Sequence, residues 1–206
     1  MRKIFNFYVM ITFFLTVFSF LSLENIYAID EKIPPSEDPM MAKWRKDSSP
    51  GENHKYLEPL IGRWNHTVRY WKRIDSNPEE SKGTNQNKWI LGNRFLYEEI
   101  QGTFMGKPFE EIAIIGYDNL REEYNSVWIH NMRTGMMTSV GQYDLATKIF
   151  TEKGSYASPL SGEKNKTFRS LTKILDNDHY SYEMYALSPD GKEFKSMEIL
   201  YERVKE

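Results

Sequence analysis

The chain has 206 residues, 27 of them Lys or Arg and 29 Asp or Glu, which gives a formal net charge of −2 at pH 7. This near balance, without any Lys- or Arg-rich run, argues against a nucleic-acid-binding protein, because such a protein needs a basic face. Cysteine is absent, which excludes disulfides, thiol nucleophiles and thiolate metal sites, so an apolar core must stabilise the fold.

The first 28 residues have the pattern of a secretory signal peptide. Arg2 and Lys3 precede an apolar run over residues 4–23, which ends shortly before Ala28. We therefore expect cleavage after Ala28. A spanning helix needs roughly 20 apolar residues, so an uncleaved N-terminal anchor is the alternative. In both cases the sequence predicts an exported protein, periplasmic or secreted, whose only membrane contact is that anchor.

A polar, turn-rich segment over residues 29–53 is predicted to be an N-terminal arm. Within it, residues 40–46 are predicted to form a short helix with Met41 and Trp44 as apolar anchors three residues apart. Two roles are open for the arm. It is either a spacer that packs loosely on the following domain or a lid over the mouth of that domain.

The next domain, residues 54–206, begins with a short helical segment over residues 55–61 that leads into a first strand. Gly62 supplies the backbone freedom to leave the helical turn, and Trp64 places a large ring where the strand begins. Alternation along the strand puts Trp64, His66 and Tyr70 on one face. We predict that this face lines the interior.

Turn residues divide the rest of the domain into short segments with the spacing of an all-β protein. Ten strands are predicted, over residues 62–74, 82–91, 93–104, 107–117, 122–130, 136–143, 148–156, 167–175, 179–187 and 193–204. As an open sheet they would leave two long unpaired edges, so an antiparallel up-and-down barrel is predicted, with a two-sheet sandwich as the alternative. The third and fourth strands are apolar on both faces, which suggests an outer wall covered by the arm or by a second subunit of a homodimer.

Several segments, taken in order, resemble the domain of unknown function 1579 family. They are Pro50-Gly51-Glu52-Asn53-His54-Lys55-Tyr56-Leu57, Leu60-Ile61-Gly62-Arg63-Trp64, Leu91-Gly92-Asn93-Arg94-Phe95-Leu96, Gly102 through Gly106-Lys107-Pro108-Phe109, and Gly116-Tyr117-Asp118 followed by Tyr124 and Trp128. The resemblance covers residues 41–203 and implies a lipocalin-like (calycin) barrel. It implies no catalytic residues, because the family has no assigned activity.

In lipocalin-like barrels a basic side chain of the last strand commonly lies across the indole of the Gly-x-Trp motif and closes the barrel floor. The resemblance therefore implies that Arg203 contacts Trp64. A guanidinium over an indole contributes roughly 0.5–2 kcal/mol, depending on burial.

Motifs for catalysis or metal binding are not found. The segment 102–107 is one residue short of a phosphate-binding loop and is read as a hairpin turn. The pairs Glu98-Glu99 and Glu110-Glu111 are neighbours on strands, so the members of each pair point to opposite faces and cannot act together. A turn at residues 105–106 also leaves no two carboxylates directly opposed. We predict neither an enzyme nor a metal site.

The four histidines, at positions 54, 66, 130 and 179, are most simply satisfied or exposed side chains. A sharper hypothesis is that His66 or His130 gives a polar contact inside an aromatic cavity, where a few polar groups orient a mostly apolar ligand. The predicted pocket residues are Trp64, His66, Tyr70, Trp128 and His130.

Three functions remain open at this stage. The first is binding or sensing of a small apolar or aromatic molecule in the barrel. The second is a structural or protein-partner-binding envelope protein whose barrel is filled by side chains. The third is a haem-binding barrel resembling nitrobindin, which shares the Gly-x-Trp-like start and would need His130 or His179 at an open barrel end. No cofactor is predicted outside this third hypothesis.

Overall fold

The computed structural model describes residues 38–159 and 161–205. The predicted signal peptide, residues 1–28, and the first part of the predicted arm, residues 29–37, lie outside the described residues. The predictions made for them therefore stay predictions. Within the described ranges, no helix has both the length and the apolar character that crossing a membrane requires.

Three short helical elements precede the strands. They are helix α1 over Pro39–Ser48, helix α2 over Glu52–Lys55 and a 3₁₀ turn over Glu58–Leu60. The sequence predicts one helical segment over residues 55–61, whereas the structure has two separate turns. Pro59 has no backbone N–H, so a continuous helix would lose a hydrogen bond at this residue.

Ten strands follow, as the sequence predicts. They are β1 Gly62–Tyr70, β2 Glu79–Ile90, β3 Phe95–Phe104, β4 Lys107–Asp118, β5 Glu123–His130, β6 Met137–Asp144, β7 Ile149–Tyr156, β8 Lys166–Ile174, β9 His179–Leu187 and β10 Glu193–Arg203. Each strand pairs antiparallel with its neighbours in sequence, and β1 also pairs with β10 in a register that opposes Trp64 to Arg203. The predicted closed up-and-down barrel is therefore confirmed, and the sandwich alternative is wrong.

Strand β2 begins earlier than the sequence predicts, at Glu79 instead of residue 82. Its first residues are polar and show no apolar alternation, which is the signal on which the prediction depends. The backbone ladder with β1 continues through them, and an ion pair joins Glu80 to Arg69 at 3.3 Å. Residues 71–78 are correspondingly a loop.

The barrel has two different ends, because successive strands run in opposite directions. One end, which we call the floor, carries the turns at residues 91–94, 119–122, 145–148 and 175–178. The opposite end, which we call the mouth, carries the loops at residues 71–78, 105–106, 131–136, 157–165 and 188–192.

The floor is closed by the segment that contains α2 and the 3₁₀ turn. Leu57 and Leu60, at 1% and 2% exposure, insert into a cluster of buried residues from the strands. These are Trp64, Leu96, Tyr124, Phe150, Tyr180 and Tyr201. The Tyr124 hydroxyl also donates a hydrogen bond of 2.6 Å to the Asn53 carbonyl. The domain core therefore lies at this end of the barrel.

Helix α1 is attached at the same end. Asn119, in the β4–β5 turn, donates hydrogen bonds to the carbonyls of Asp47 (2.9 Å) and Ser49 (2.8 Å), and Arg94, in the β2–β3 turn, donates one to the Ser48 carbonyl (3.0 Å). Both turns belong to the floor. The described part of the arm, residues 38–53, is therefore tied to the floor and is not a lid over the mouth.

Candidate functional site

The barrel interior contains a cavity of about 350 Å³ that extends from above the floor to the mouth. This volume falls within the range of roughly 300–1,000 Å³ that is typical of small-molecule sites. Aromatic side chains form much of its wall, among them Tyr70, Phe104, Phe109, Trp128, Tyr156 and Tyr182. Five methionines complete an apolar wall that can adapt to different shapes: Met105, Met132, Met137, Met184 and Met197. Side chains therefore do not fill the lumen completely.

Three of the five predicted pocket residues line this cavity: Tyr70, Trp128 and His130. Trp64 faces inward, but it is only 1% exposed and belongs to the floor core. Its indole N–H donates to the Leu60 carbonyl at 2.9 Å, and its ring packs edge-on against Tyr180 at 4.7 Å. The structure thus corrects the prediction for Trp64, because the floor segment covers a ring that strand alternation alone leaves open to the lumen.

His66 also points inward without lining the cavity. It is 6% exposed, and its Nδ1 is hydrogen-bonded to the Asn85 side chain. Gly83 and Gly102 make room for the ring, since a Cβ at Gly83 would lie 2.4 Å from His66 Nε2. Burial lowers the pKa of His66. This ring is a packed polar group within the wall, and the prediction that His66 contacts a ligand stays a prediction.

His130 lies at the mouth, at the end of β5. Its Nδ1 accepts a hydrogen bond of 3.1 Å from the Met132 backbone N–H, and its ring packs against Phe109 at 5.3 Å. Burial, together with the smaller effect of the nearby positive charge of Arg133, lowers its pKa to about 4. His130 is therefore uncharged at neutral pH.

His179 lies at the opposite end, outside the floor. Its ring is exposed and its Nδ1 lies 2.9 Å from an Asp176 carboxylate oxygen. Of the two histidines considered for haem, only His130 borders the lumen. The fit to haem is partial, because this one ring already accepts a backbone hydrogen bond and the cavity volume is at the low end of the usual range.

Arg203 closes the floor. Its guanidinium carbon lies 4.0 Å from the centre of the Trp64 ring, so the structure brings the predicted pair together. The same group donates hydrogen bonds to the carbonyls of Ile61 (2.6 Å), Pro59 (2.9 Å) and Asn177 (2.8 Å). Gly62 has a φ of +127°, and a Cβ there would lie 2.5 Å from the Arg203 Nη1. Only glycine therefore allows this arrangement.

Three carboxyl groups that the sequence analysis missed line the lumen: Glu98, Glu111 and Glu152. Alternation contains a signal for the first, since Glu98 lies between the buried Leu96 and Ile100 on the same face of β3. Charged residues normally face solvent, however, and that general rule favours the opposite orientation. One member of each Glu-Glu pair thus points inward and the other outward.

These carboxyl groups have hydrogen-bond partners of their own. Glu152 Oε1 accepts hydrogen bonds from Ser126 (2.6 Å) and Ser139 (3.0 Å), and Glu98 Oε1 accepts one from Asn87 (3.2 Å). Burial, together with the smaller effect of the charges of Glu111 and Glu152, raises the pKa of Glu98 to about 8. Burial also raises the pKa of Glu111 to about 7, against a smaller lowering by Arg133. The interior therefore favours neutral carboxyl groups.

Arg133, in the loop over residues 131–136, is the second group that the sequence analysis missed. Its guanidinium carbon lies 4.7 Å from the centre of the Tyr156 ring, at the mouth of the cavity. Its Nε and Nη1 are buried and have no hydrogen-bond partner among the described residues. A loop residue has no periodic pattern that could indicate its orientation, so the sequence gives no signal for this position.

Comparisons with known proteins show which sequences and folds this chain resembles. A family model described as "Protein of unknown function (DUF1579)" matches residues 49–203. No curated protein matches the sequence significantly. Among solved structures, Rv2717c from M. tuberculosis has a TM-score of 0.57 and 18% sequence identity, with 76% of this chain and 100% of that chain covered. This likeness shows the fold alone.

Two further solved structures are similar at lower scores. A redesigned β-barrel has a TM-score of 0.37 and 12% identity, with 73% of this chain and 96% of that chain covered. A protein of unknown function of the DUF3598 family from Nostoc punctiforme has a TM-score of 0.36 and 14% identity, with 72% of this chain and 48% of that chain covered.

Proposed function

We propose, for a chain that belongs to the DUF1579 family, that the barrel binds a small, mostly apolar or aromatic molecule in its lumen, as an exported carrier or sensor. The observation that carries the proposal is the cavity of about 350 Å³, which reaches the mouth, whereas the segment bearing Leu57 and Leu60 closes the floor. An apolar wall with a few convergent polar groups is typical of ligand sites.

The alternative of a structural or partner-binding envelope protein predicts a lumen filled by side chains. A lumen with this volume gives that alternative less support, although the outer surface of the barrel can still contact another protein or a second copy of the chain. The haem alternative now depends on His130, since His179 lies outside the floor.

Binding of an environment-sensitive apolar fluorophore tests the proposal. We expect saturable binding to the wild-type protein and displacement by fatty-acid-like or aromatic competitors. Ile199→Trp should abolish or strongly weaken binding, because Ile199 lines the lumen and the larger ring fills it. Leu200→Trp is the matched control, since Leu200 is the next residue on β10 and is 39% exposed. This control should bind the fluorophore as the wild type does.

Two outcomes would contradict the proposal. Absence of saturable binding to a folded wild-type protein would favour the partner-binding alternative. Haem added to the same preparation should give no Soret band. A band that disappears in His130→Ala and persists in His179→Ala would instead assign the haem-binding function.

A further inference from the structure

Arg133 places a positively charged side chain in the wall of the lumen. Among the described residues that line the cavity, it is the only Lys or Arg. His130, its neighbour at the mouth, is uncharged at neutral pH because burial depresses its pKa. Any fixed positive charge that a bound molecule meets in the lumen therefore comes from this guanidinium.

Two donors of this guanidinium are unused. Nε and Nη1 are buried and lack a hydrogen-bond acceptor among the described residues. Leaving a buried charged donor without an acceptor is unfavourable, and native proteins rarely do so without a functional or solvent partner. The Tyr156 ring, 4.7 Å from the guanidinium carbon, stabilises the positive charge but is not an acceptor for the Nε and Nη1 N–H groups. These two nitrogens lie on different edges of the guanidinium, and each needs an oxygen acceptor.

The carboxyl groups of the lumen are engaged elsewhere. Ser126 and Ser139 donate hydrogen bonds to Glu152, and Asn87 donates one to Glu98. The charge of Arg133 lowers the pKa of Glu111, yet burial has the larger effect and favours the neutral acid, which is a weaker partner for a guanidinium than a carboxylate. The chain thus supplies a positive group at the mouth and leaves its strong anionic partner to come from outside.

We propose that the ligand is an amphipathic carboxylate, whose anionic head binds Arg133 at the mouth and whose apolar body extends into the lumen toward Trp128 and Tyr182. A carboxylate is a strong acceptor for either unused nitrogen, because both partners of the hydrogen bond are then charged. The cavity wall beyond the mouth is mostly apolar and aromatic, and burial raises the pKa of the three carboxyl groups in it and so favours their neutral form. This lining suits the remainder of such a molecule. This inference rests on the proposed function and specifies its ligand class.

The test compares decanoate with decanol, two probes that share a chain length and differ in the charge of the head. Competition against the fluorophore at pH 6.5 measures both affinities. We expect the wild type to prefer decanoate by about 10-fold or more, since a charge-assisted hydrogen bond contributes more than a neutral one. Added salt should weaken decanoate binding and leave decanol binding unchanged.

Three variants separate the contributions. Arg133→Met should weaken decanoate binding by about 10- to 100-fold and change decanol binding by less than about threefold. Arg133→Lys retains the charge but loses the planar fork, so it should give an intermediate affinity. Arg121→Met is the matched control, because it removes the same charge from a side chain that is 70% exposed at the floor. It should not affect either probe.

The inference fails in two distinguishable ways. If the wild type binds both probes equally, or if Arg133→Met weakens both alike, the lumen does not recognise a carboxylate but still binds apolar molecules. If neither probe nor the fluorophore binds the folded wild type, both this inference and the proposed function are wrong. The wild-type comparison does not depend on whether any variant folds.

Discussion

At the scale of single residues, the neutral carboxyl groups of the lumen connect stability to pH. Glu98 and Glu111 have pKa values raised to about 8 and about 7, chiefly by burial, whereas in the unfolded chain they ionise near their ordinary values. The native state therefore binds more protons than the unfolded state at neutral pH. By linkage, the free energy of unfolding must fall as the pH rises through the two folded-state values.

Other titratable groups lie close to Glu98 and Glu111, and their pKa values determine the pH range in which the two carboxyl groups can be studied. They are Glu152 on β7, Tyr182 on β9, Tyr201 on β10, His130 on β5 and Arg133 in the β5–β6 loop. Burial raises the pKa of both tyrosines, so they stay neutral. Burial lowers the pKa of the histidines at positions 54, 66 and 130, so their opposing effect on stability continues to about one pH unit above their ordinary value of 6.5. Comparison with a variant that lacks the two carboxyl groups separates the carboxyl contribution from that of the histidines between pH 6.5 and 8.5.

We expect the free energy of unfolding to fall by about 1–3 kcal/mol between pH 6.5 and 8.5. Urea denaturation followed by circular dichroism measures it at each pH. The double variant Glu98→Gln/Glu111→Gln should lose this decrease and keep only the small opposing change that comes from the histidines. The double variant Glu99→Gln/Glu110→Gln changes the exposed neighbours and should retain the wild-type slope. Equal slopes in the two double variants would contradict this prediction.

At the scale of elements, the junction of the first and last strands depends on Arg203. Its side chain joins β10 to the floor segment and to the β8–β9 turn through three carbonyl groups, and it covers the Trp64 ring at 4.0 Å. Loss of these contacts leaves carbonyl groups of Ile61 and Pro59 without this donor. It also exposes one face of the indole.

Arg203→Ala should therefore lower the free energy of unfolding by about 1–3 kcal/mol and shift the fluorescence of Trp64. Denaturation monitored by tryptophan emission measures both effects. Lys205→Ala is the control, because that side chain is 82% exposed and makes only a distant ion pair with Asp178 at 3.8 Å. If the two variants are equally stable, the contacts of Arg203 do not contribute to the free energy of unfolding.

Local patterns account for what the sequence predicted about these elements. Turn residues and alternation lie within a few positions of each other, so strand number and order can be inferred from the chain. The lumen depends instead on contacts between distant segments. Trp64 is not part of the cavity wall because Leu57 and Leu60 cover it, whereas Arg133 is part of the wall although it lies in a loop. No periodic pattern in the sequence indicates either arrangement.

At the scale of the whole molecule, the predicted export can be tested by identifying the N-terminus of the mature protein. The apolar run over residues 4–23 and the small residue Ala28 predict a mature chain that begins at Ile29. Intact-mass measurement of protein recovered from the exported fraction should give the mass of residues 29–206. A full-length mass in the membrane fraction would instead establish an anchored protein, with the arm as its tether.

The closure of one end has a kinetic consequence. If the lumen binds a ligand as we propose, closure of the floor leaves the mouth for both entry and exit, so both pass the loops at residues 105–106 and 131–136. Substitutions in those loops would then change exchange rates and selectivity, while the cluster around Leu57 and Trp64 continues to maintain the fold. A barrel of this kind would thus change its ligand, and the lifetime of the complex, without loss of the fold.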